Sequence, residues 1–281
     1  MTKKPNGWYK KITIRPTVHI DGYTSYEKMC GHVADIYFSV DEESLERRLI
    51  FNSKESINIT AYTLLKVGKA KCPAYWVGSD LLIALMQSDL NVEAESLQWS
   101  MDTGFFMLPN SVVKSPENRS VNAIFWHCDT PNDHLYWTAV DGSSFLCRRL
   151  KISDQLKHFR YTDVEDFHPQ LLEEFNEYLQ AIFLRLILLM ECRPELVDTD
   201  SRLVRINKGF GKAQAQDLYE PLWVGKNYHF KREEAQNRGG THTSPRVHWR
   251  RGFLRNQPYG QGRQQRKIVW VEPVLVMGTQ K

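Results

Sequence analysis

The sequence predicts an α+β fold: an antiparallel sheet packed on one long central helix, with a basic β unit at the C-terminal end. Three observations lead there. Short aromatic and β-branched runs separated by turn residues fill 105–150, an apolar run with helical spacing fills 166–192, and cations concentrate after residue 240. With 281 residues, 42% hydrophobic and 25% charged, the chain has the composition of a globular protein able to bury a substantial core. The reading divides it into an α+β core domain over 1–200, a polar linker and strand entry over 201–240, and a basic β segment over 241–281 packed on the core.

Taken in order, residues 1–23 form a basic lead-in with a strand-like run over 12–20 that Pro16 interrupts, as an edge strand or extended arm would allow. The opening MTKKPNGWYKK is followed by no apolar h-region, so no secretory signal is expected. Residues 26–49 turn helix-like at their end, where Asp41 offers a cap. Helices are predicted over 57–67, ending near Gly68, and over 80–86 with Ser79 as N-cap. From 105 to 150 the runs 105–108, 122–127, 135–140 and 144–150 alternate with the turns Pro131-Asn132-Asp133 and Asp141-Gly142, which reads as an antiparallel meander. His127, Cys128, Asp129 and His134 cluster around the first turn. Neighbours on a strand face opposite sides, so His127 and Cys128 are not expected to share a site, and the cluster reads as a loop edge.

Residues 166–192 carry the clearest helix signal. Asp166 is placed to cap it, Pro169 stands in its first turn, and Leu172, Phe175, Leu179, Ile182, Phe183, Leu186, Leu189 and Met190 recur at three- and four-residue spacing. Its second half is apolar almost all round, which calls for cover on both sides. The longest apolar run, 181–190, contains Arg185 and is too short for a membrane span, so no membrane partner is expected. Beyond Pro194 the chain becomes polar, and its GFGK run at 209–212 lacks the spacing and hydroxyl of a phosphate-binding P-loop. Five cysteines without a C-x-x-C pair fit a reducing cytoplasm and give no structural zinc spacing, so neither metal nor cofactor is expected.

Charge is distributed unevenly. Residues 201–281 hold 16 basic and 5 acidic side chains, a balance of +11, which leaves 37 − 16 = 21 basic and 33 − 5 = 28 acidic, or −7, for the first 200. Within 238–281, nine Lys or Arg stand against the single acid Glu272, interleaved with Trp249, Phe253, Tyr259 and Trp270. Guanidinium groups bind phosphate in a planar fork and aromatic faces stack on unpaired bases, so this pattern points to a nucleic-acid surface. The residues expected to carry it are Arg246, His248, Trp249, Arg250, Arg251, Arg255, Tyr259, Arg263 and Arg266. The last run, 267–276, reads as a terminal strand with Ile268, Trp270 and Val274 inward and a bend at Glu272-Pro273.

The run HTSPRVHWRRG at 242–252, then Tyr259-Gly260-Gln261-Gly262 and the closing VWVEPVLV at 269–276, resembles the C-terminal signature of the larger type V-A anti-CRISPR proteins. The resemblance implies a cytoplasmic protein of a bacterial host's mobile element. Such a protein lowers production of a CRISPR effector nuclease by recognising its nascent N-terminal segment and bringing down its message during translation. Members of that family continue R-G-H-W after the arginine pair, whereas here Gly252 is followed by Phe253 and Leu254, with the His-Trp pair displaced to His248-Trp249. A role for a histidine directly after that glycine therefore does not carry over. The expected partners are RNA or the translating ribosome together with a client's nascent polypeptide; catalytic residues and oligomeric state are not assigned. Two other classes remain open at this point. One is a metal-independent endoribonuclease using His242 or His248, arginine and Tyr259 as base, cation and acid. The other is an interaction module that captures an extended peptide at a sheet edge.

Overall fold

The structure, a computed structural model, describes residues 56–69, 74–93, 101–110, 112–141, 144–155, 158–161, 172–198, 203–206, 216–219, 222–234 and 247–277. The expected segments at 12–20 and 26–49, the cap at Asp166, the GFGK run, His242 and Arg246 lie outside these residues. Strands dominate what is described. They are β1 (Ala74–Val77), β2 (Ser88–Glu93), β3 (Thr103–Met107), β4 (Val121–Asp129), β5 (His134–Asp141), β6 (Ser144–Lys151), β7 (His158–Tyr161), β8 (Leu203–Ile206), β9 (Gln216–Tyr219), β10 (Leu222–Val224), β11 (Lys231–Glu234), β12 (His248–Arg250), β13 (Gly252–Tyr259), β14 (Gln265–Val271) and β15 (Val274–Met277). The α-helices are α1 (Ser56–Lys69), α2 (Ser79–Met86), the single turn α3 (Ile152–Gln155) and α4 (Leu172–Cys192).

The expected fold class is overturned. The described residues are mostly β, and their three larger sheets are mixed rather than antiparallel. The largest runs β10-β1-β3-β4-β5-β6, with β1 parallel to both β3 and β10. A second runs β14-β13-β2-β7, with β13 parallel to β2. A third runs β11-β15-β12, and β8 pairs with β9. The long helix α4 is one layer among several, not the platform of the fold. The parallel pairs explain the error. β1 is four residues long and buried throughout, so it shows no alternation, and β2 reads SDLNVE, which carries no strand signature.

The meander β3-β4-β5-β6 forms as its turns direct, antiparallel throughout. Both its faces are covered, which is why β4 is buried along nearly its whole length. On one face Phe105 stacks on Phe125, and helix α1 brings Tyr62 to 4.9 Å from the Tyr136 ring. On the other Phe106 stacks on Trp126 at 4.7 Å, and Phe183 of α4 packs against both. Residues 181–189 of α4 are all buried, Arg185 included, because the helix also contacts β14 behind it. The all-round apolar second half of this helix is the sequence trace of that double cover.

Two glycines fix where strands meet. Gly225 follows β10 with φ +71, and a Cβ there would fall 2.3 Å from Leu81 Cδ2, so the chain turns tightly over α2 only with glycine in place. Gly252 opens β13 where it passes the bend after β14; a Cβ would lie 2.5 Å from the Val271 carbonyl oxygen and 2.7 Å from Pro273 N. The glycine after the arginine pair is thus demanded by backbone packing. Helix α2 begins at Ser79 itself, with Gly78 at the N-cap and no side-chain cap, so the expected Ser79 cap is not formed. The terminal strand does break at Glu272-Pro273, giving β14 and β15. Trp270 is buried and Ile268 packs on the core, while at the other end Val276, not Val274, is the buried valine.

Candidate nucleic-acid interface

β13 and β14 pair antiparallel from Phe253 opposite Val271 to Tyr259 opposite Gln265. Directly opposed residues share a face, and alternate residues change it. One face carries Leu254, Ile268 and Trp270, which join the core. The other therefore carries Phe253, Arg255, Gln257, Tyr259, Gln265 and Lys267, and Arg255, Tyr259, Gln265 and Lys267 are exposed. On this outward face Arg255 lies over the Phe253 ring at 5.1 Å and Lys267 over the Tyr259 ring at 5.4 Å. Two cation–ring pairs alternate along one strand ladder. Beyond them the tip carries Arg263, held at φ +56, and Arg266 stands exposed at the base of the returning strand. Among the described residues, Arg255, Arg263, Arg266 and Lys267 form no ion pair.

The other expected contact residues are placed differently. Arg250 pairs with Glu233 at 3.2 Å and Arg251 with Asp89 at 3.5 Å, so each already faces a carboxylate of its own chain. Both partners of the first pair are at least half exposed, and the pair is correspondingly weak. Trp249 meets Phe230 edge-on at 5.0 Å on the sheet of β11, β15 and β12, and Arg232 covers Phe230 from 5.3 Å. His248 lies on that same strand, away from Tyr259 at the far end of β13. The extended chain between them keeps these two residues apart, and His242, the other expected base, lies outside the described residues. Lys267 belongs to the outward face although it was not among the expected contacts. Strand alternation back from buried Trp270 does point to it, provided β13 and β14 are first recognised as partners.

The cluster around the first meander turn also separates as alternation requires. Cys128 enters the core, its thiol pushed up to about 11 by burial, and is no nucleophile at neutral pH. His127 faces the opposite side with Tyr62 and Tyr136. Its imidazole is held below the ordinary value by burial and then by the charge of Lys66, and that of His134 by burial and then by Arg149. Arg149 lies 2.8 Å from His134 Nε2, and since a guanidinium only donates, that nitrogen accepts and the ring is neutral. The unfolded chain therefore takes up these protons first as pH falls below 6.5, and stability falls with it. Melting temperatures measured between about pH 7.5 and 5.5 are expected to drop, and less steeply in a His127→Gln, His134→Gln double variant.

A family model described as AcrVA2-like, anti-CRISPR type V subtype A2 family, matches residues 75–278. The chain belongs to this anti-CRISPR family. The match spans the AcrVA2-like chain from β1 through β15 and so includes the whole β13–β14 hairpin. Searches of curated proteins and of solved structures gave no match. Among the described residues of this AcrVA2-like protein, no helix is long and apolar enough to cross a membrane, and no group of His, Cys, Asp or Glu is arranged to hold a metal ion.

Proposed function

We propose that this anti-CRISPR-family protein suppresses a defence effector at the level of its expression, engaging RNA or the translating ribosome through the outward face of the β13–β14 hairpin. The client's nascent polypeptide supplies selectivity, and the setting is the cytoplasm of a bacterium carrying a phage or other mobile element. The observation that supports this reading is the outward ladder itself. Arg255, Tyr259 and Lys267 share one exposed face with rings under the cations, and among the described residues no carboxylate pairs with these cations. Unpaired bases stack on such rings while phosphates meet the cations, without a demand for particular sequence. Selection of one message must then come from elsewhere, and a nascent chain emerging beside its own message provides that link.

The test is a paired reporter in cells. One effector message is translated normally; a second differs only by an early stop codon. Expression of this protein is expected to lower the first message several-fold and to leave the second unchanged, and Arg255→Ala with Lys267→Ala is expected to restore the first. Equal loss of both messages would refute dependence on translation, and full activity of the double variant would remove the hairpin from the mechanism.

A further inference from the structure

A cavity of about 590 Å³ opens on the α1 side of the large sheet, against β4, β5 and β6. Its floor is two rows of side chains set by strand register. His127, Tyr136 and Arg149 stand opposite one another on three successive strands, and Asp129 and His134 form the next row. Tyr62 and Lys66, one helical turn apart on α1, form the roof. Asp102 and the turn at Thr130–Asn132 close the end. Three rings meet here: Tyr62 packs against both His127 and Tyr136, which lie nearly parallel to each other at 15°. A cation stands at each side, Lys66 Nζ 4.9 Å from the Tyr62 ring and Arg149 6.0 Å from that of Tyr136.

The lining excludes the simplest ligands. A bare anion would meet Asp102 and Asp129 as well as the cations, and a bare cation would meet Lys66 and Arg149. No three metal-binding side chains gather among the described residues. What matches is a molecule with a flat polar body and one separate anionic group. The body needs a face to lie against rings and N–H donors, for a carboxylate and for the acceptor nitrogen of a neutral His127. His127 adds an independent sign, since its Nδ1 is buried with no hydrogen-bond partner among the described residues, a position that ordinarily has one.

We propose that this cavity binds a single nucleotide, its base against Tyr62, His127 and Tyr136 and its phosphate at Lys66 and Arg149. The volume falls in the range of small-ligand pockets, and aromatic stacking with base-edge hydrogen bonds is how proteins hold an isolated base. The nucleotide is either free or the phosphorylated end of a strand; the chemistry is shared. The site is built from α1 and the meander, not from the hairpin, so it stands or falls separately from the expression mechanism.

Calorimetry on the full chain tests it with the four ribonucleoside 5′-monophosphates, the matching nucleosides, and a tetranucleotide RNA with and without a 5′-phosphate. At least one monophosphate is expected to bind at least about tenfold more tightly than its nucleoside. Lys66→Ala and Arg149→Gln are each expected to weaken it about tenfold, and Arg255→Ala with Lys267→Ala to leave it unchanged. Lys66 lies on a helix surface, so its variant keeps the test valid if Arg149→Gln fails to fold. A shift of the His127 imidazole resonances on titration gives a second readout at the cavity itself. In the Arg255→Ala, Lys267→Ala background, tighter binding of the phosphorylated tetranucleotide than of both its unphosphorylated counterpart and the monophosphates identifies a strand end, and tighter binding of a monophosphate identifies a free nucleotide. The proposal is overturned if neither form binds, if nucleosides bind as well as monophosphates, or if Lys66→Ala changes nothing.

Discussion

Replacing Arg255, Arg263 and Lys267 together by alanine is expected to weaken RNA association on the order of 100-fold at low salt, three charge-assisted contacts being lost. The slope of log affinity against log salt should become shallower by about 2, each phosphate contact on a single strand contributing roughly 0.7. All three side chains are exposed, and none makes an ion pair among the described residues, so the melting temperature should stay close to that of the parent. Tyr259→Ala should behave differently. Losing one stacking ring costs about 1–3 kcal/mol and leaves the salt slope nearly untouched. An unchanged slope in the triple variant would mean that phosphate contact lies elsewhere on the molecule.

Phe183→Ala is expected to cost about 3–5 kcal/mol of stability, the range for truncating a fully buried aromatic residue. The ring fills the junction between α4 and the large sheet, 5.6 Å from Trp126 and 6.5 Å from Phe106. The helix is held from its other side by β14, so it cannot settle into the space left behind. Urea unfolding gives the value directly. A cost below about 1 kcal/mol would show that the two layers can close over the gap.

Much of the meander was legible because its turn residues and alternating runs are local signals. The long helix was legible for the same reason. What failed was the assembly. β1 is too short and too buried to alternate, and its neighbours β3 and β10 are parallel partners far away in the chain, with no turn residue to announce either pairing. β13 likewise joins β2 across more than half the sequence. The candidate interface was half legible. Counting cations and rings singled out the segment that holds the outward face, but composition alone does not tell Arg251, facing Asp89, from Arg255, facing outward. The cavity was not legible at all, because Tyr62, His127 and Arg149 come from three elements whose meeting only the folded sheet defines. Residues read together as a loop edge line the floor of that cavity once α1 lies over them.

The bend between β14 and β15 has one more effect. Arg193, at the end of α4, forks between Glu195 and Glu272, lies over the Trp270 ring, and shares Glu272 with the Tyr228 hydroxyl. The only acidic residue of the terminal segment, Glu272, is therefore a rivet that joins the root of the hairpin to the end of α4 through Arg193. If this face binds RNA as proposed, the strand meets a template tied down at its root, and single strands are expected to bind more tightly than a duplex of the same length.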